Sequence, residues 1–141
     1  MLCVDLPPEE GQELIPALKK RGLDTIFLLA PTSTKERIKK VDETSTGFVY
    51  YVSRTGVTGA RQALPTELLK ETKRLRRRLS HPLAVGFGIS TPRQVKEVAG
   101  VADGVVVGSA LVQLIEEKSG SDALVAAVEQ RVRELVAALG K

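Results

Sequence analysis

Short apolar runs alternate with stretches whose apolar residues recur every three or four positions, and this alternation repeats five times without a linker between repeats. Leu2-Cys3-Val4 is the first run, ended by Asp5-Leu6-Pro7-Pro8. Residues 9–21 follow, with Leu14, Ile15 and Leu18 at helical spacing before Gly22. Thr25-Ile26-Phe27-Leu28-Leu29 is apolar throughout, as expected of a strand buried on both faces, and Ser33 with Glu36 predicts a capping box for a helix through about Lys40. Phe48-Val49-Tyr50-Tyr51-Val52 is the third run, closed by Thr55-Gly56-Val57-Thr58-Gly59, and Pro65 opens a helix over 68–79. Residues 82–85 form the fourth run, before a helix announced by Thr91, Pro92 and Gln94. Val105-Val106-Val107 is the fifth, followed by a helix over 111–117. A last helix over 121–139 carries Leu124, Val125, Val128, Val132, Leu135, Val136 and Leu139 on one face.

Uniformly apolar strands, each followed by an amphipathic helix, imply parallel pairing with helices covering the sheet. Two α/β architectures fit, an open doubly wound sheet and a segment of a (β/α)₈ TIM barrel. The first, in its nucleotide-binding form, opens its first helix with G-x-G-x-x-G, and Asp5-Leu6-Pro7-Pro8 is not that turn. A complete barrel takes about 250 residues. Residues 1–141 therefore read as a single domain, an incomplete barrel of five βα units plus a C-terminal helix. Met1 stands directly against the first strand, which favours truncation. The runs at residues 2–4 and 105–107 each lose a neighbour in such a piece, and Phe27, Leu29 and Val85 are candidates for an inner barrel face opened to water. Self-association through the unpaired edges is the expectation.

Composition narrows the chemistry. With 43% apolar and 27% charged residues there is material for a core and for solubility, and no apolar run approaches the roughly 18 residues of a membrane span. The N-terminus lacks the marks of a signal peptide, so the cytoplasm is the default compartment. One cysteine, Cys3, and one histidine, His81, leave zinc and haem chemistry without ligands; Cys3 reads as a small buried hydrophobe and His81 as a loop residue. The net charge of +4 is concentrated at residues 73–78. Leu68, Leu69, Thr72, Leu75 and Leu79 fall on one helical side there, leaving the basic residues as a solvated face. Aromatics are 4% of the chain and none lies in the run, so nucleic acid is not the expected partner.

Glycine collects beyond the last three strands, at Gly56-Val57-Thr58-Gly59, Gly86-Phe87-Gly88 and Gly108-Ser109. All three turns fall on one edge of a parallel sheet. Glycine lets backbone approach a ligand closely, and N–H groups opening a helix attract an anion, so the trio in register points to phosphate, with Gly88, Gly108 and Ser109 supplying N–H groups and the Ser109 hydroxyl.

The same residues carry a family resemblance. Asp5-Leu6-Pro7-Pro8-Glu9-Glu10, Phe27-Leu28-Leu29-Ala30-Pro31-Thr32-Ser33-Thr34, Tyr50-Tyr51-Val52-Ser53-Arg54-Thr55-Gly56-Val57-Thr58-Gly59, Gly86-Phe87-Gly88-Ile89-Ser90 and Asp103-Gly104-Val105-Val106-Val107-Gly108-Ser109 resemble, in order and spacing, the tryptophan synthase alpha subunit from its fourth barrel strand onward. The resemblance implies a lyase of tryptophan biosynthesis that cleaves indole-3-glycerol phosphate to indole and glyceraldehyde 3-phosphate. It also implies a partner, the beta subunit that carries pyridoxal phosphate, and no cofactor in this chain. By motif, Tyr50 resembles a supporting tyrosine near the reacting carbon. Leu2, Val4 and Leu28 resemble apolar positions of the indole pocket; Thr58 and Gly59 resemble the loop that closes over substrate. Phe87, Gly88, Gly108 and Ser109 resemble indole-contacting and phosphate-binding positions, and Asp5 a residue that communicates with the beta subunit.

The family's acid and base, a glutamate and an aspartate of an E-[LI]-G-x-P-[FY]-S-D-P-type segment, have no counterpart among these 141 residues. Cleavage needs a carboxylic acid to protonate the ring carbon and a base to accept a proton. Neither role passes to a glycine, or to Tyr50 with an ordinary phenol pKa near 10. Glu9 and Glu10 read as first-turn residues favourable to a helix dipole, and Arg54 as an anion contact or a partner for a loop carboxylate. The isolated chain is therefore expected to be inactive, and the other reading is a catalytically silent phosphate-binding or docking half-barrel.

Overall fold

The computed structural model describes residues 1, 2, 4, 6–52, 64–86 and 88–140. Four parallel strands lie side by side in chain order, β1 (Phe27–Leu29), β2 (Val49–Val52), β3 (Leu83–Gly86) and β4 (Gly104–Val106). Between and after them run α1 (Leu14–Lys19), α2 (Lys35–Thr44), α3 (Thr66–Arg76), α4 (Pro92–Ala99), α5 (Ser109–Glu117) and α6 (Leu124–Ala137).

Register decides the two faces. Phe27 pairs with Val49 and Val49 with Leu83, while Leu29 pairs with Tyr51 and Tyr51 with Val85; every one of these is buried, in one core with Val41, Leu68, Leu75, Val95 and Val98 from the helices. The opposite face carries the row Leu28, Tyr50, Ala84 and Gly104, all half-buried, and beyond it Val52, Gly86 and Val106. This corrects the expected inner-face set. Phe27, Leu29 and Val85 point into the helix-covered core, and the face left open is the Leu28–Tyr50 row, because strand side chains alternate and the two parities of an all-apolar run look alike in sequence.

Several predicted boundaries shift for identifiable reasons. Of the first predicted strand, Leu2 makes one isolated parallel bridge to Ile26 outside the sheet, and Val4 lies in an exposed turn. The single helix expected over 9–21 is a 3₁₀ turn, Pro8–Glu10, followed by α1, because Pro16 is tolerated only in a helix's first turn. Gly22 closes this segment with φ +66°, a left-handed conformation that glycine adopts without strain. α2 is capped by Thr34, which accepts the Arg37 N–H at 3.2 Å, whereas Ser33 takes the Ala30 N–H at 3.0 Å. The capping box of Thr91 and Gln94 is as expected. α6 begins later than predicted and buries a different stripe: Leu124, Val128, Arg131, Leu135 and Ala138 turn toward α4 and α5, while Val125, Val132, Val136 and Leu139 are exposed. The basic face of α3 is largely exposed, and its Arg76 pairs with Asp103, which also accepts the Leu83 N–H at 2.8 Å.

At the N-terminal ends of the strands, Asp42 of α2 fastens the α3–β3 connection. Its carboxylate accepts the Ser80 N–H at 3.0 Å, the Ser80 hydroxyl at 3.0 Å and the His81 N–H at 3.3 Å, and lies 3.2 Å from His81 Nδ1. Burial pushes this carboxyl up, but the donors from Ser80 and His81 outweigh it and hold it below the ordinary aspartate range. A depressed folded-state pKa means stabilisation that is complete above the unfolded value, about 3.9, and lost as pH falls through the folded one. Asp42→Asn should therefore cost about 1–2 kcal/mol in urea unfolding at pH 7. At pH 3 the gap from the parent chain should narrow; a gap that stays constant would contradict this account.

Candidate functional site

The connections leaving β3 and β4 emerge at the same edge of the sheet, the C-terminal ends of the strands, and each feeds a helix. Beyond Gly86 the chain passes through Gly88, whose φ of +79° requires glycine in practice, then sinks Ile89 into the core before Thr91 caps α4. Gln94 Oε1 accepts the Ser90 N–H at 2.9 Å, the Thr91 N–H at 3.1 Å and the Ser90 hydroxyl at 3.2 Å. Thr91 Oγ1 in turn accepts the Gln94 N–H at 3.3 Å, and the first helical residue, Pro92, has no N–H to satisfy.

α5 opens differently. Gly108 is its N-cap, its carbonyl accepting the N–H groups of Leu111 at 2.9 Å and Val112 at 3.1 Å, and no side chain caps it. Among the described residues none accepts from the N–H groups of Ser109 or Ala110. Gly108, Ser109 and Gly88 are all exposed, and a side-chain carbon added at Gly108 would meet open space. Such a helix start holds partial positive charge directed at solvent, which suits an anion.

The open face beside this edge is shaped by residue size. Tyr50 and Leu28 are neighbours in one row, while Ala84, Gly86 and Gly104 present little or no side chain on the adjoining strands. The Tyr50 ring lies across Gly86: a Cβ there would stand 2.7 Å from Tyr50 Cε2 and 2.8 Å from Cζ, and nearer still to the hydroxyl oxygen. Burial pushes the Tyr50 phenol up. Tyr51, on the opposite face, is pushed up to about 12 by burial and by the Glu71 carboxylate, which its hydroxyl meets at 3.3 Å.

Of the residues singled out in sequence, Leu28, Tyr50, Gly88, Gly108 and Ser109 gather on the open face or at this edge. Leu2 and Val4 are exposed at the chain's start. Cys3, Asp5, Arg54, Thr58, Gly59 and Phe87 lie outside the described residues. Glu9 reaches Arg37 at 2.9 Å, an ion pair rather than a free catalytic carboxylate. No group of acidic, histidine or cysteine side chains suited to a metal occurs among the described residues, and none of their helices is long and apolar enough to cross a membrane. Sequence reasoning missed Arg131 and the Asp42–Ser80–His81 cluster, whose partners stand 38 to 41 positions apart and leave no local pattern.

Sequential parallel strands with helices on one side and strand C-termini gathered at one edge define a (β/α) barrel represented in part. The family model for the tryptophan synthase alpha chain matches residues 1–139, and the chain belongs to that family. It is 52% identical over 139 residues to the tryptophan synthase alpha chain of Geotalea uraniireducens, covering 99% of this chain and 50% of that one. It is 56% identical over 124 residues to that of Citrifermentans bemidjiense, covering 88% and 46%. The crystal structure of the tryptophan synthase alpha chain from Legionella pneumophila superposes with a TM-score of 0.82 at 34% identity, covering 99% of this chain and 51% of that one. The chain thus spans about half the length of the relatives it matches. The family is one of lyases in tryptophan biosynthesis, and its pyridoxal phosphate belongs to the beta subunit.

With two tyrosines and no tryptophan in the sequence, alkaline titration of phenolate absorbance reads Tyr50 and Tyr51 alone. Both steps should lie above the ordinary value near 10, the later one at about 12. Gly86→Ala should force the Tyr50 ring off its seat and bring the earlier step down toward 10 while leaving the later one in place. An unchanged earlier step would show that Tyr50 does not depend on Gly86.

Proposed function

We propose that this chain supplies the phosphate-holding and ring-seating part of an indole-3-glycerol phosphate site in a tryptophan synthase alpha subunit, and that alone it does not perform the cleavage. The observation that carries the reading is the uncapped start of α5 at Gly108 and Ser109, on the same edge as the left-handed Gly88 turn. There the N–H groups of Ser109 and Ala110 would take phosphate oxygens. Leu28 and Tyr50, beside the small Ala84, Gly86 and Gly104, would seat the flat apolar ring, with Thr58, Gly59 and Phe87 contributing from residues outside those described. Leu2 and Val4 would join the ring pocket only once covered. The E-[LI]-G-x-P-[FY]-S-D-P-type segment is not among the 141 residues, so the proton transfers wait on carboxylates from elsewhere. The beta subunit is the proposed partner, with Asp5 in the communication between them, and the cytoplasm the proposed compartment.

The open face also bears on assembly. Leu28, Val52 and Val106 present apolar surface to water and, among the described residues, no strand pairs with the outer edge of β4, so self-association is proposed for the chain alone. Mixing with the first half of a full-length relative tests both statements together. Alone, the chain should sediment as more than a monomer and release no measurable indole. With the complementary half it should form a one-to-one complex that cleaves indole-3-glycerol phosphate. Each missing proton-transfer role is worth about 10²–10⁴ in rate, so release by the chain alone at the rate of a full-length relative would refute the reading.

Gly108→Val tests the anion edge. The added side chain enters open space, so helix content should be retained, while inorganic phosphate and glycerol phosphate lose their approach to α5. Equal phosphate affinity in variant and parent would remove this turn from the site.

A further inference from the structure

The Gly88–Thr91 turn is held from a direction that neither its sequence motif nor the strand it follows accounts for. Arg131, in the middle of α6, donates from one guanidinium nitrogen to the Ser90 carbonyl at 2.8 Å, and from the other pairs with Glu134 one turn further on at 3.2 Å. Its side chain is only 31% exposed. The N–H and hydroxyl of Ser90 are already taken by Gln94, and the neighbouring Ile89 is 1% exposed, so the carbonyl is the remaining polar group of Ser90, and Arg131 fills it. α6 packs on both α4 and α5, and a groove of about 530 Å³ lined by Ser90, Ala110, Gln130 and Arg131 runs from one anion-edge connection to the other.

We propose that Arg131 is a positioning residue for the anion edge. By fixing the Ser90 carbonyl it sets the Gly88–Thr91 turn against the start of α5, so that Gly88 and Ser109 face one ligand together. A guanidinium suits this task because its planar fork meets a carbonyl and a carboxylate at once while remaining charged at any working pH. Without it the Ser90 carbonyl turns to water. The left-handed Gly88 linkage, which has no side chain to anchor it, then samples other conformations before each encounter with an anion.

This role rests on the anion-binding reading above, and the experiment separates the two. Inorganic phosphate is titrated into the full chain, into Arg131→Ala and into Arg131→Lys, followed by the backbone amide resonances of Gly88 and Ser109, with circular dichroism checking each fold. The expected result is that Arg131→Ala keeps its helix content, shifts the Gly88 amide before any phosphate is added, and weakens phosphate about tenfold, the loss of one charge-assisted hydrogen bond. Arg131→Lys, which can still reach the Ser90 carbonyl, should recover part of that loss. Should Arg131→Ala not fold, Arg131→Lys and Glu134→Gln decide: each should weaken phosphate by more than twofold and shift the Gly88 amide from its position in the parent. A parent chain that takes no phosphate overturns the anion-binding reading itself. A parent that binds, with folded Arg131 variants binding within twofold of it, overturns the positioning role alone.

Discussion

In-register parallel pairing from β1 to β4 assigns every strand side chain to one of two faces, and the rest of the molecule follows from that assignment. One parity, Phe27, Val49, Leu83 and then Leu29, Tyr51, Val85, lies under the helices, and burying each large side chain is worth about 1.5–3 kcal/mol. A slip of one residue would exchange the faces, putting Tyr50 into the helical core and Tyr51 in the open. Because that exchange would cost the whole core, Tyr50 is kept on the site face by the burial of residues on the other. The anion edge inherits the same constraint, since the ends of β3 and β4 are aligned by the ladder Gly86 to Val106.

Much of this was legible in the sequence, and the limits have physical causes. The alternation of apolar runs with helical periods recovers all four strands, since a parallel sheet covered by helices needs them. The face assignment was not legible, because Phe27, Leu28 and Leu29 are equally apolar and only the small residues at 84, 86 and 104 mark the open side. Pro16 carried a signal for the split of the first helix, and its ring explains that break. Nothing local distinguished Ser33 from Thr34 as a cap, since both hydroxyls suit the role and the choice fell to which one the Ala30 N–H engaged. Of the candidate site, Gly88, Gly108 and Ser109 were readable because backbone demands leave a mark in residue type. Arg131 was not, because one arginine on a helix rich in i,i+3 and i,i+4 ion pairs looks like any other.

The two helix openings at the anion edge illustrate how one architecture yields unequal ends. α4 opens on Pro92, which has no N–H, Thr91 takes the Gln94 N–H, and Gln94 in turn takes those of Ser90 and Thr91, which ties that end down. α5 spends no side chain on its own cap and keeps its dipole available. Rigidity is thus concentrated beside the place where charge is left unanswered, and a turn held stiffly next to a receptive helix start loses little freedom when an anion arrives.

The Asp42 staple has a consequence for the order in which the chain folds. It joins residues 38 and 39 positions apart, closing a loop that contains all of β2 and α3. A contact of that span gains little until the strands on either side are paired, so it is expected to form with the sheet or after it. To the extent that it forms after the transition state, its free energy falls on the escape rate from the native state rather than on the rate of reaching it. In that order of events the staple is a late latch, lengthening the lifetime of the folded chain without hastening its arrival.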